Sequence, residues 1–496
     1  MLWSRAIAAS ALAFAGLARA STCSDVRTLT TIEVRGPLEL AYISEQQDYW
    51  STSCAAIKPQ CIIFPKTPSE MSRAIQILRA NTERFAIKSG GHSPNHYWAS
   101  VDDGPLISTQ RLDQVLLDET MGVVTVGPGT RLDEVAKALD GTGWTFVGGR
   151  IGNTGVGGLV LGGGLSYMSA QYGWTSSTVI QYEVVLANGT VVIASNTQHS
   201  DLYHALKGGG NNFGVVTAYT LQAFPQGDIW GGNIAFANTP GIATKLLKAV
   251  RDFTEYNTDH KAAVILTAER ATADLIDSWI MFLFYDGATP PPGIFNNFTD
   301  LHPITNTVRT RPYADLIAWS NWVVLPGVIV TMSTETIVIP KEADSEKVMD
   351  AIYAHWRDMS DRTRLVPGII ASIAFQPFPR AIARNALDSG GDLIDAEDDV
   401  DRLIIEMNYQ FLLPTDYAKI DGIMQDTYTG IRNLVVGWQA DGTLPNAYLP
   451  LMANYAFFRQ DYWGRIKPTS RAFARDVVDA YDPEGLFRTR TGGWKP

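Results

Sequence analysis

Short apolar runs alternate with amphipathic stretches from Cys61 to about Pro225. Cys61 to Phe64 reads as a strand. Thr67-Pro68-Ser69-Glu70 reads as a helix start, with a capping hydroxyl, a proline where no donor is needed and a carboxylate three positions after the cap. Ser69 to Arg79 follows with helical spacing, and Phe85 to Lys88 is the next strand. The order recurs with Val123 to Val126 as strand, Leu132 to Leu139 as helix and Trp144 to Val147 as strand. Both units end in glycine-rich chain, Ser89-Gly90-Gly91 and Gly148-Gly149, which predicts two similar α/β units facing one ligand. Glu183 to Leu186 and Thr190 to Ala194, joined at Asn188-Gly189, predict a hairpin with a type I′ turn. Asp201 to Lys207 predicts a short helix, and Val215 to Leu221 an alternating strand.

The pattern changes after Phe224-Pro225-Gln226-Gly227. Long amphipathic stretches (Ile242 to Tyr256, Ser345 to Met359, Asp416 to Tyr428) now separate the strand-like runs Ser278 to Phe284, Thr331 to Ile339 and Leu403 to Phe411. This predicts an α+β lobe in which helices cover a sheet, and 496 residues are enough for two lobes.

Residues 1–20 are set apart as a secretory leader: Arg5, a small apolar run from Ala6 to Leu17, and Ala18-Arg19-Ala20 as the cleavage signal. That run is too short to span a bilayer, so a soluble, extracellular monomer without a membrane partner is expected. The net charge of −11 argues against nucleic acid. Cys23, Cys54 and Cys61 predict one disulfide and one free thiol; a Cys23–Cys61 bond would tie the N-terminal tail to the first strand. Metal binding is not expected, because no C-x-x-C or paired-histidine spacing occurs. Asn188 and Asn297 head glycosylation sequons, and Asn297 is the better acceptor because Asn188 is needed for a turn.

The chemistry is concentrated in Lys88-Ser89-Gly90-Gly91-His92-Ser93, where a strand runs into two glycines and a lone imidazole. Such a loop presents backbone N–H groups to an anion. Gly148 to Gly164 could form the other side of the cradle. There is no G-x-G-x-x-G, Walker A, G-x-S-x-G or H-E-x-x-H, so these glycines serve a different site.

Together with Gly127-Pro128-Gly129, these two segments resemble the FAD-binding domain of the vanillyl-alcohol oxidase superfamily, and most closely its berberine-bridge-enzyme-like branch. Asp201 to Gly210, Phe213-Gly214-Val215, Asn454-Tyr455, Tyr462-Trp463-Gly464 and Asp482-Pro483-Glu484-Gly485-Leu486-Phe487 are similar to further signatures of that branch. The resemblance implies an α+β fold: a two-subdomain FAD-binding domain of the PCMH type over 21–227 (core about 57–227), a substrate domain over 228–445 with a helix-covered antiparallel sheet, and a C-terminal segment, 446–496, returning to the first domain. It implies FAD held by Ser89, Gly90, Gly91, Ser93, Gly148, Gly152, Thr154, Gly155, Gly157, Gly158, Val215 and Asn454, and joined covalently to His92.

The chain departs from the family in two places. Ile151 stands where some members attach the flavin a second time through cysteine, which implies single attachment. Met452 stands where many members have a catalytic tyrosine two residues before Asn454. Tyr448, and Tyr409 or Glu406 on the strand Leu403 to Phe411, are then the candidate bases, with Asn454 beside them; alternation puts Glu406 and Tyr409 on opposite faces, tyrosine is the more natural base for an alcohol, and Gln376 is a candidate lining residue. Trp144, Trp174, Trp463 and Tyr172 read as packing. The expected activity is transfer of hydride from a substrate C–H beside O or N to flavin, with O2 as acceptor and hydrogen peroxide as product. The substrate would be a carbohydrate or small secondary metabolite. A cyclase without net oxidation, or a flavin-binding protein without turnover, are the alternatives.

Overall fold

The computed structural model describes residues 21–271 and 275–496; the leader expected over residues 1–20 lies outside them. Three sheets organise the described residues. The first has the order Glu33–Arg35, Cys61–Phe64, Pro105–Ser108 and β1 (Ala86–Lys88), and is parallel except for its first pair. Thr67 caps the helix Pro68–Ala80 that follows the second of these strands, its Oγ1 accepting from Glu70 N at 3.1 Å. The Cys23–Cys61 disulfide fastens the N-terminal helix Thr22–Leu29 to this sheet, and Cys54 is left free and buried.

The second sheet is antiparallel, in the order Val115–Asp118, Val123–Val126, β2 (Val215–Pro225), Val179–Val185 and Val191–Ser195, with Trp144–Phe146 also pairing with β2. The hairpin at Asn188-Gly189 forms, but its turn is not type I′. Only Gly189 has a positive φ, +85°, while the Asn188 side chain accepts from Thr190 N at 2.8 Å. A short polar side chain that satisfies its own turn removes the need for a second left-handed residue. Between these two sheets runs the short helix α1 (Val156–Leu161).

The third sheet is the largest and antiparallel throughout. Its central order is Ile229–Ala237, β4 (Ile276–Tyr285), β3 (Ala262–Ala271), β6 (Ile370–Phe378), β7 (Arg402–Phe411) and β5 (Ile329–Val338). Helices Ile242–Tyr256, Ser345–Asp361 and Tyr417–Asp441 cover one face, burying Leu246, Val250, Ile352, Trp356, Met424 and Val435 against it. The last helix runs well past the expected end at Tyr428: Ile431, Val435 and Trp438 continue its buried stripe, and Gly430 leaves room for the His355 ring of the neighbouring helix. No helix among the described residues is long and apolar enough to cross a membrane.

The C-terminal segment then comes back to the first sheet. Asp482, fully buried, accepts from Leu486 N (2.6 Å), Phe487 N (2.8 Å) and Arg488 N (3.2 Å), starting the helix Leu486–Arg490. Arg490 Nε donates to Glu83 O at 2.7 Å, and Phe85 N donates to Arg490 O at 3.0 Å. The end of the chain thereby braces the segment that leads into β1. Asp482→Ala leaves three backbone donors unpaired and is expected to cost about 2–3 kcal/mol, read as a shifted urea midpoint. An unchanged midpoint would contradict this role.

Candidate functional site

The uncovered face of the large sheet, the two glycine loops and the returning C-terminal segment enclose one cavity of about 810 Å³. Its wall includes Ser89, Gly90, Gly91, His92 and Ser93 from the loop after β1, and Thr154, Gly155, Gly157 and Gly158 from the loop and helix at α1. Val215 and Asn454 complete the set on that side. The loops meet backbone to backbone: a Cβ on Gly90 would lie 2.4 Å from Gly155 N, and one on Gly155 would lie 2.2 Å from Gly90 N. Side chains cannot be accommodated at that crossing. Ser89 Oγ pins it, donating to Pro128 O at 2.6 Å and accepting from Gly157 N at 3.2 Å.

Two glycines expected in the site are not in the wall. Gly148 packs on the Phe146 ring, and Gly152 on Ile317 O and Asn321. They shape the loop from behind, while Gly149 and Ile151 take the wall positions. Asn454 reaches the wall with its amide fully used: Oδ1 accepts from Gly164 N (3.0 Å), and Nδ2 donates to Leu159 O (3.1 Å) and Gly158 O (3.3 Å). It therefore positions the end of α1 and has no group left for proton transfer.

His92 stacks on Trp50, with ring centroids 4.8 Å apart, and its Nε2 lies 3.1 Å from Asn153 Oδ1. Burial lowers its pKa to about 4, and the nearby Arg131 guanidinium acts in the same direction. The imidazole is thus neutral at ordinary pH; with Asn153 Oδ1 accepting from Nε2–H, Nδ1 keeps its lone pair. Arg131 is itself fixed by Asp48 (2.6 Å) and by the Asn153 carbonyl.

Both candidate tyrosine bases lie elsewhere. Tyr409 points to the helix side of β7, where its hydroxyl meets Thr427 Oγ1 at 3.0 Å within the hydrophobic core. Tyr448 donates to Ile394 O at 2.8 Å, outside the cavity wall. Met452 is buried in an apolar cluster with Leu165, Trp174 and Ile404, also away from the wall. Strand alternation sends Glu406, Asn408 and Gln410 of β7 to the cavity instead.

A polar cluster gathers around Glu406. Gln376 Nε2 donates to Glu406 Oε2 at 2.8 Å, and Gln376 Oε1 accepts from Arg150 at 2.6 Å. Tyr455 hydroxyl bonds the same guanidinium and lies 3.4 Å from Gln376 Oε1. Burial raises the Glu406 pKa above the ordinary carboxylate value, with Arg150 and Gln376 opposing. Burial also raises that of Tyr455. Arg150 and Tyr455 lie inside two segments the sequence marks, Gly148 to Gly164 and Asn454-Tyr455, but nothing in the sequence assigns either side chain to the site.

Among the described residues, six buried polar atoms at the wall have no protein partner: Trp50 Nε1, Asn212 Oδ1, Asn408 Oδ1, Gln410 Oε1, Trp463 Nε1 and Trp494 Nε1. Trp463 is thus a wall residue as well as a packing one. With the glycine crossing, the three unpaired indole donors suit a large cofactor rich in acceptors, and FAD fits.

Comparison with known proteins agrees. Residues 59–195 match a family model described as an FAD binding domain. The chain is 42% identical over 467 residues to an uncharacterized FAD-linked oxidoreductase of Arthroderma benhamiae, covering 94% of this chain and 92% of that one. Berberine bridge enzyme from Eschscholzia californica has the same fold, with TM-score 0.73 at 16% identity over 95% of this chain and 97% of that one. So does the xylooligosaccharide oxidase from Myceliophthora thermophila in complex with xylobiose, with TM-score 0.73 at 18% identity over 96% of this chain and all of that one. The long, 42% identical relationship and the matching FAD binding domain place the chain in the family of FAD-linked oxidoreductases, on a fold it shares with berberine bridge enzyme.

Proposed function

We propose that this protein is a secreted oxidase carrying FAD on His92, with Glu406 as the base that deprotonates the substrate. The observation that carries the reading is the Glu406 carboxyl itself. It is half-buried, faces the cavity, and is held by the neutral Gln376 with no cation bonded to it. A carboxylate whose pKa is raised in this way takes a proton more readily at working pH.

FAD, when bound, supplies the hydride acceptor. Glu406 would take the proton of a substrate O–H or N–H, while Arg150 and Tyr455 would hold the heteroatom beside it. The apolar part of the wall, including Leu165, Ile265 and Phe282, would keep water from the reacting carbon. Substrate loses two electrons and two protons overall, and O2 gains both to give hydrogen peroxide. The Ser89–Ser93 loop, Thr154 to Gly158 and Asn454 would hold FAD. The neutral His92 ring has the lone pair that a covalent bond requires, and Ile151 offers no sulfur for a second one.

Secretion is supported by the leader pattern of residues 1–20 and by the disulfide. Asn297 is exposed, whereas the Asn188 side chain is occupied in its turn.

Glu406→Gln is expected to slow anaerobic bleaching of the flavin band by substrate on the order of 100-fold or more. In the wild type the bleaching rate should rise with pH through a pKa above the ordinary carboxylate value, because only the ionised base works. That limb should be absent in the variant. Equal rates, or an unchanged limb, would remove Glu406 from the role; product formed without bleaching would put ring closure in place of oxidation. The attachment is checked separately. Acid-precipitated wild type should stay yellow and fluoresce in a gel, and His92→Ala should do neither. Free release of flavin from the wild type would overturn the covalent bond.

A further inference from the structure

Beyond Glu406 the same sheet face carries a second polar group of side chains. Glu269 of β3, Ser372 of β6 and Asn408 of β7 stand in one cross-strand row, since Glu269 pairs with Ser372 and Ser372 with Asn408. Gln410 stands in the next row, paired with Ile370. All line the cavity. Side chains two apart on a strand are separated by about 7 Å, so Asn408 lies about 7 Å and Gln410 about 14 Å along β7 from Glu406. Asn408 is 6% exposed and Gln410 8%, yet neither side-chain amide makes a hydrogen bond within the protein. Two adjacent buried amides without partners are uncommon, because each costs its desolvation unless something pairs with it.

The surroundings limit what that partner is. Arg150 is the one cation among the described residues lining the cavity, and it is bonded to Gln376 and Tyr455. An anionic group would therefore meet no countercharge beside Asn408. Amides both donate and accept, as hydroxyls do. Glu269 adds a carboxyl acceptor, its pKa raised by burial, and Ser372 adds a hydroxyl. Ile369 and Ile370 supply apolar surface, and the exposed Ile276 (46%) and Trp322 (43%) stand where the cavity opens. We propose that this row is a distal substrate subsite that reads a neutral ring with hydroxyl groups on its rim, joined to the unit oxidised beside Glu406. This rests on the oxidase reading above and extends it: the substrate is at least two rings long, with hydroxyls on the ring that does not react. A sugar and a polyphenol share that chemistry.

The test titrates flavin-loaded protein under anaerobic conditions and follows the perturbation of the flavin band. One arm compares xylose with xylobiose, the other 4-hydroxybenzyl alcohol with catechin. In at least one arm the two-ring probe should bind about tenfold tighter or better, as expected for one or two added hydrogen bonds and ring contacts. That preference should fall to about threefold or less in the double variant Asn408→Ala/Gln410→Ala. Asn408→Leu/Gln410→Met, which keeps the volume and removes the amides, should show the same loss. The arm that responds identifies a sugar or a polyphenol. No two-ring preference in either arm, or a preference untouched by both double variants, overturns the subsite. Two-ring binding without bleaching would leave the subsite standing and sink the oxidase reading. Bleaching by one-ring donors with no dependence on length would do the reverse.

Discussion

Gly90 and Gly155 touch through their backbones, and the glycine-loop side of the site is arranged around that contact. With hydrogens as side chains, the loop after β1 and the loop before α1 approach to a separation that no Cβ permits. The crossing sets His92 on one side of the cavity and the α1 residues Gly157 and Gly158 on another. Asn454 secures the far end of α1, and the buried Asp482 fixes the chain that braces the segment entering β1. Asn454 and the C-terminal brace thus both support the elements that carry the two loops.

The substrate side obeys a different constraint. A sheet covered by helices on one face must send its alternate residues to the other, and here that other face borders the cavity. Leu403, Ile405, Met407, Tyr409 and Phe411 therefore feed the core, while Glu406, Asn408 and Gln410 meet ligand space. One strand supplies both the packing that holds the lobe together and the polar groups that face the cavity. The cost of burying Glu406 is offset by Gln376 and by the Arg150 field, which leaves it ionisable with a raised pKa.

Much of this was legible in the residues because it rests on local rules. Glycines mark places where chain meets chain, Thr67-Pro68 marks a helix start, and Ile242 to Tyr256 forms a helix with the bounds its periodicity predicts. The failures have separate causes. Alternation separates Tyr409 from Glu406, but β7 is buried on both faces, so the pattern cannot say which face meets the ligand. Tyr448 lies in irregular chain, where sequence distance from Asn454 carries no direction. The contacts of Arg150 with Gln376 and Tyr455 span 226 and 305 positions, and no local pattern encodes them. Gly148 and Gly152 show the limit of the glycine rule itself: a glycine reports a close approach, not what approaches.

The central claim is that this cavity is where the flavin lies, and Gly158 offers the most direct measurement. It lines the cavity, is exposed, and a Cβ there would meet no protein atom within 4 Å. A larger side chain should leave the fold intact and occupy the cofactor's space. Purified Gly158→Leu should match the wild type in circular dichroism and melting temperature while its flavin-to-protein absorbance ratio falls to a small fraction of the wild-type value. A folded variant that carries flavin at the wild-type ratio would contradict the account.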